Sequence, residues 1–173
     1  HAGHGSETTF QALQNSCNIA FAHIGLKLGG EKFYEYAKAF GLLEATGVGM
    51  SGESDGIFFP KSTITDPNAN GYGAAVIAGS FGQTFKVTPI QLVRAISAVV
   101  NGGYVMQPYI VSEVLDGDGN VVQKNEPTVI RQAISEETSE IMRQMILSVV
   151  TEGTAKNAQV AGYSIGGKTG TSE

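Results

Sequence analysis

An α+β fold, mainly helical, is predicted by three features of the sequence. Apolar residues recur at helical spacing in several runs that end at glycine. One run opens on Thr88, Pro89 and Gln91: a threonine cap, a proline in the first turn and a glutamine that completes a capping box. After it, β-branched stretches flank "DGDGN", the composition of a hairpin turn.

Taken in order, Thr8 to Leu28 carries helical spacing broken by the polar cluster Asn15, Ser16, Cys17 and Asn18, so a short helix, a turn and a second helix are expected. Gly29 and Gly30 stop the second. Phe33, Tyr36, Ala37 and Phe40 then mark an amphipathic helix closed by Gly41. The stretch "EATGVGMSGESDGIFFPKSTITDPNANGYG" is rich in turn formers and is expected to be an irregular surface loop. Leu92, Val93, Ile96, Val99 and Val100 form the apolar face of the helix capped by Thr88, which ends at Asn101, Gly102 and Gly103. "YVMQPYIVSEVL" and "VVQ" read as the arms of a hairpin. Ser135 caps a last helix with Glu136 and Glu137 in its first turn and a buried face of Ile141, Met145, Ile146, Val149 and Val150, ending near Gly153. No internal repeat or low-complexity tract interrupts residues 1–173, which read as one unit.

The composition narrows the function. With 42% hydrophobic and 16% charged residues the chain can bury a core, and its net charge of -5 supplies no basic field for nucleic acid. Cys17 is the single cysteine, so no intramolecular disulfide and no zinc cluster are expected. No apolar run approaches the roughly 20 residues that span a bilayer, so any membrane anchor of the parent protein is expected outside this chain.

Three motif matches have simpler explanations. Gly162, Gly167, Lys168 and Thr169 satisfy P-loop spacing, but no hydrophobic strand precedes them and Gly170 stands where a phosphate-binding helix would begin. Asp116, Asp118 and Asn120 open like a calcium loop, yet Val121 takes the place of the required glycine and Pro127 that of the bidentate glutamate. His1 and His4 lie at a terminus without an evident carboxylate partner and read as solvated histidines. No metal or cofactor is expected.

Ser16-Cys17-Asn18 and Lys168-Thr169-Gly170-Thr171 are different in kind. In this order, with "SFGQTFKVTPIQLVRAISAVVNGG" between them and "EGTA" leading into "GGKTGTSE", they make the whole chain resemble the penicillin-binding proteins, the D,D-transpeptidases that cross-link peptidoglycan. The Ser-Cys-Asn variant is most similar to the monofunctional class B branch. The resemblance implies a partial transpeptidase fold of the serine β-lactamase type, made of its helical part, a peripheral hairpin and a KTG strand. It also implies an extracytoplasmic location on a bacterial membrane. Peptidoglycan stem peptides ending in D-Ala-D-Ala and β-lactams are the implied ligands.

The residue chemistry agrees with that implication. Lys168 supplies a cation that lowers neighbouring pKa values and attracts a substrate carboxylate, while Thr169 and Thr171 offer it hydroxyls. Gly170 lets an acyl donor lie close to the backbone. By resemblance, the Thr171 N–H is half of an oxyanion hole, Ser16 relays a proton to the leaving nitrogen, and Asn18 binds the substrate amide and orients the catalytic lysine. The nucleophile of the family lies in Ser-x-x-Lys, and no serine in this chain is followed by lysine at the third place. The chain is therefore expected to be an internal fragment, inactive alone, whose KTG strand lacks its sheet neighbours and so is disordered, displaced or paired in a dimer. No Glu-x-x-Leu-Asn segment for a deacylating carboxylate is present, so slow deacylation is expected of the intact protein. A noncatalytic sensor or binding module that kept these motifs is the alternative, and the sequence upstream of His1 discriminates the two.

Overall fold

The computed structural model describes residues 4–170. Seven α-helices and two small antiparallel sheets build the described part of the chain. The expected opening forms as α1 (Thr9–Gln14), α2 (Asn18–Leu28) and α3 (Gly30–Ala39). Thr8 and Gln11 make a capping box on α1, which satisfies end groups that would otherwise be bare. Gly29, at φ 81, both ends α2 and begins α3, so the chain turns there without an intervening loop.

The long glycine-rich segment is only partly irregular, which corrects the expectation of a surface loop. It contains α4 (Lys61–Thr65), and α5 (Tyr72–Ser80) starts at its end. Ile64 of α4 is fully buried and, with Ala75 and Val76 of α5, centres a cluster enclosed by Phe33, Tyr34, Phe58, Phe59 and Tyr72. Ile64 is the single apolar residue of the five in α4, too little periodicity to announce a helix, and tertiary burial decided it. At Gly25 of α2, a Cβ would stand 1.7 Å from Ser80 Oγ, so only glycine lets α2 and α5 cross this closely. That crossing sets the end of α5 against the second half of α2.

Thr88 caps α6 (Pro89–Val100) with Gln91 as its capping-box partner, as expected. The helix is oriented differently from its apolar pattern. Leu92, Val93 and Ile96 stay exposed, while Gln91, Arg94, Ala95 and Ala98 face inward. The inward face is polar because backbone carbonyls wait there: Gln91 Nε2 donates to Glu44 O at 2.8 Å and Asp55 O at 3.0 Å, and Arg94 Nη2 donates to Gly41 O at 2.6 Å. Glu53 accepts from the N–H groups of Thr46, Gly47 and Val48, and these bonds, above all the Thr46 hydroxyl, hold its carboxyl below the usual range. A glycine-rich loop is thereby given fixed shape by side chains.

The hairpin expectation holds in part. β2 (Glu113–Leu115) pairs antiparallel with β3 (Val121–Lys124) around a turn in which Asp116 accepts from the N–H groups of Asp118 and Asn120. The Asn120 side-chain amide, which donates to Asp116 Oδ2 at 3.0 Å, and then these N–H bonds hold the Asp116 carboxyl low and account for its calcium-like spacing. β1 (Tyr104–Met106) does not join this hairpin. It pairs with β4 (Val129–Gln132), and Pro108, which has no N–H to donate, lies between β1 and β2. α7 (Glu136–Thr151) packs against α1 and α6 and buries Met145, Val149 and Val150, whereas Ile141, expected inside, is 46% exposed.

Candidate active site

Two ends of the sequence form one wall of a cleft. The first is the α1–α2 turn, where Cys17 N donates to Ala12 O at 2.9 Å and Ser16 N to Leu13 O at 3.2 Å. This is a Schellman closure of α1, and it places Ser16 at the left-handed position that glycine usually takes. Ser16 has φ 52, at a cost of order 1 kcal/mol. Ser16 is therefore not a helix cap; Cys17 is the N-cap of α2 and Asn18 its first, exposed residue.

The second end is the KTG segment. No strand forms over residues 160–170: without its sheet neighbours the KTG segment is displaced, one of the outcomes expected for it. The segment lies instead against α7, where Gly167 N donates to Ile146 O at 3.1 Å. A Cβ on Gly166 would reach Ile146 Cγ1 at 2.8 Å, so glycine permits this contact. Seated there, Lys168 sends its Nζ to Ser16 Oγ at 2.7 Å, to Thr169 O at 3.0 Å and to Thr169 Oγ1 at 3.3 Å. Partial burial pulls the Lys168 ammonium below its ordinary pKa.

The structure thus brings Ser16, Asn18, Lys168, Thr169 and Gly170 to one cleft of about 700 Å³. Thr171 lies outside the described residues. Phe21 of α2 and Phe81, Gly82 and Gln83 from the turn after α5 complete the lining of the cleft. Motif reasoning assigned these four no role. A glycine and a glutamine between a helix end and a strongly capped helix were the available signal, and the backbone there is unusual, with Thr84 at φ 68. The P-loop reading fails on geometry, because no helix begins at Lys168.

His4 is not solvated alone. His4 and Glu7 approach to 3.7 Å, and their ligating atoms lie within 4.8 Å of the Cys17 sulfur. Hydrogen bonds, first from Asn15 and then from Cys17, with His4 adding to them, hold the Glu7 carboxyl low, so the group is already internally satisfied.

An ammonium, two hydroxyls and an open apolar wall suit an anionic, partly apolar ligand. The sequence profile of the penicillin binding protein transpeptidase domain matches residues 1–173. The chain is 44% identical to stage V sporulation protein D of Bacillus subtilis, over 99% of this chain and 26% of that protein. It is 30% identical to the peptidoglycan D,D-transpeptidase FtsI homolog of Mesostigma viride, over 93% of this chain and 28% of that one. Penicillin binding protein 3 of Mycobacterium tuberculosis, in a crystal structure complexed with aztreonam, superposes with a TM-score of 0.82 and 28% identity, over 93% of this chain and 36% of that one. The chain spans about a quarter of the length of these curated relatives.

Proposed function

The chain belongs to the penicillin-binding protein transpeptidase family, and from that premise we propose that it supplies part of the active site of a peptidoglycan D,D-transpeptidase. One observation carries the reading: Lys168 Nζ meets Ser16 Oγ at 2.7 Å across 152 positions of sequence, at the head of an open cleft. The Lys168 ammonium and the Thr169 hydroxyl receive the terminal carboxylate of a D-alanyl-D-alanine stem, and Gly170 leaves the backbone open beside it. A serine outside these residues, in Ser-x-x-Lys, gives its proton to the lysine of that motif and attacks the penultimate carbonyl; the bond to the nitrogen of the terminal D-alanine breaks and the acyl-enzyme forms. Ser16, hydrogen-bonded to Lys168, passes a proton to the departing nitrogen, and Asn18 binds the substrate amide. The Thr171 N–H completes the oxyanion site. A second stem's amine then takes the acyl group.

The setting is the extracytoplasmic face of a bacterial membrane, with the anchor in another part of the protein. No described helix is long and apolar enough to cross a membrane. A fluorescent penicillin tests the proposal: the full-length protein takes a covalent label, and residues 1–173 alone do not. An unlabelled full-length protein would make it a binding module, and a stable adduct on Ser16 would overturn the role of Ser16 as proton relay.

A further inference from the structure

The two halves of the cleft wall are joined by a residue outside both motifs. Thr154 follows α7, and its N–H donates to Gln14 O at 3.0 Å, two residues before Ser16. Its hydroxyl lies 3.2 Å from Thr169 Oγ1, which also accepts from Lys168 Nζ. Its backbone has little freedom. Ala155 N donates to Val149 O at 3.1 Å, and a Cβ on the preceding Gly153 would stand 2.6 Å from Gln14 O. Gln14 Nε2 also donates to Glu152 Oε2 at 3.2 Å, so residues 152 to 154 clamp the end of α1. The contacts close a ring that runs from Ser16 through Lys168, Thr169 and Thr154 to Gln14 and back along the chain to Ser16.

We propose that Thr154 is a positioning residue that couples the two motifs and sets the direction of the Thr169 hydroxyl. This rests on the reading that Thr169 receives a substrate carboxylate. A hydroxyl has one proton to give. If Thr169 donates it to Thr154, none remains for the ligand. If Thr154 donates instead, Thr169 is left with its proton facing the cleft, and its oxygen is doubly supported by Lys168 and Thr154. An anion in the cleft selects the second arrangement, because a hydrogen bond to a charged acceptor is the stronger one. Thr154 touches no ligand in this scheme and acts through Thr169.

The test measures covalent acylation of the full-length protein by benzylpenicillin and by its carboxylate methyl ester, with thermal midpoints recorded for each variant. Thr154 is exposed, so T154A and T154S are expected to fold. T154A should slow acylation by the free acid about fivefold, the scale of one hydrogen bond to a charged group, and leave the ester unchanged. T154S, which keeps the donor, should stay within about twofold. In a T169V background, T154A should cost nothing further. Equal losses for acid and ester, additive losses with T169V, or no loss at all would overturn the coupling. A wild type that is not acylated, or that does not prefer the acid to the ester, would instead sink the carboxylate reading itself.

Discussion

Arg94 and Lys168 are both cations whose charged form is disfavoured by burial, and the molecule uses them in opposite ways. Arg94 lies on the inward face of α6 and gives its guanidinium to the carbonyls of Gly41 and Thr46, in a closed interior where Gln107 also donates to Thr46 O at 3.0 Å. Lys168 gives its ammonium to two hydroxyls and a carbonyl at the edge of an open cleft. A guanidinium does not lose its proton in a protein, so desolvating it yields structure alone; a desolvated ammonium comes within reach of proton transfer. The loop around Arg94 is saturated by its partners, whereas the cleft keeps partners in reserve for a ligand.

Removing Arg94 probes the saturated side and carries the largest expected effect. R94M should lose about 3 kcal/mol of stability in urea unfolding, because Gly41 O is stripped of its donor inside the fold. Loss of Nε, which has no partner among the described residues, offsets part of that cost. A loss below about 1 kcal/mol would mean that the loop does not depend on the guanidinium.

The open side should respond in activity instead. K168R keeps the charge but replaces a compact ammonium with a fork that does not deprotonate, so acylation of the full-length protein by penicillin should fall about 100-fold. Its thermal midpoint should barely move. Acylation at the wild-type rate would show that Lys168 acts through charge alone.

S16G separates stability from function at the same cleft. Glycine suits the left-handed position that closes α1, so stability should rise by about 0.5 to 1 kcal/mol, while acylation falls with the lost hydroxyl. A destabilised S16G would mean that the Lys168 contact outweighs the backbone strain. The smallest effect concerns pH. Because folding lowers the Lys168 pKa, the unfolded chain binds more protons between the folded value and the ordinary lysine value, and stability should rise with pH across that window. K168M should flatten the rise, and R94M should leave it, since arginine does not titrate there. A wild type whose stability does not rise there would remove the basis for the shift.

The legible parts of the fold were those with local chemistry. Thr88 with Gln91, and Ser135, each announced a helix start, because a cap satisfies end groups within three residues; the Thr8–Gln11 box on α1 is of the same kind but went unread. The β2–β3 turn was legible for the same reason. α4 and α5 were not, since their helices depend on Ile64 and Val76 meeting aromatic residues distant in sequence. Ser16, Asn18, Lys168, Thr169 and Gly170 were named from their motifs, but Phe21, Phe81, Gly82 and Gln83 reach the cleft only through the packing of α2 on α5.

The sequence by itself determined the strongly capped helix starts, the hairpin turn and the family, and it named Ser16, Asn18, Lys168, Thr169 and Gly170 as candidates, because these are set by neighbours within a few positions or by motif order. Tertiary structure decided which face of α6 turns inward, that β1 leaves the hairpin for β4, and that the KTG segment rests on α7 without forming a strand. It also decided that Ser16 and Lys168 meet. Those outcomes depend on which distant carbonyl, hydroxyl or glycine lies opposite, and the free energy of such contacts exists only once the chain is folded.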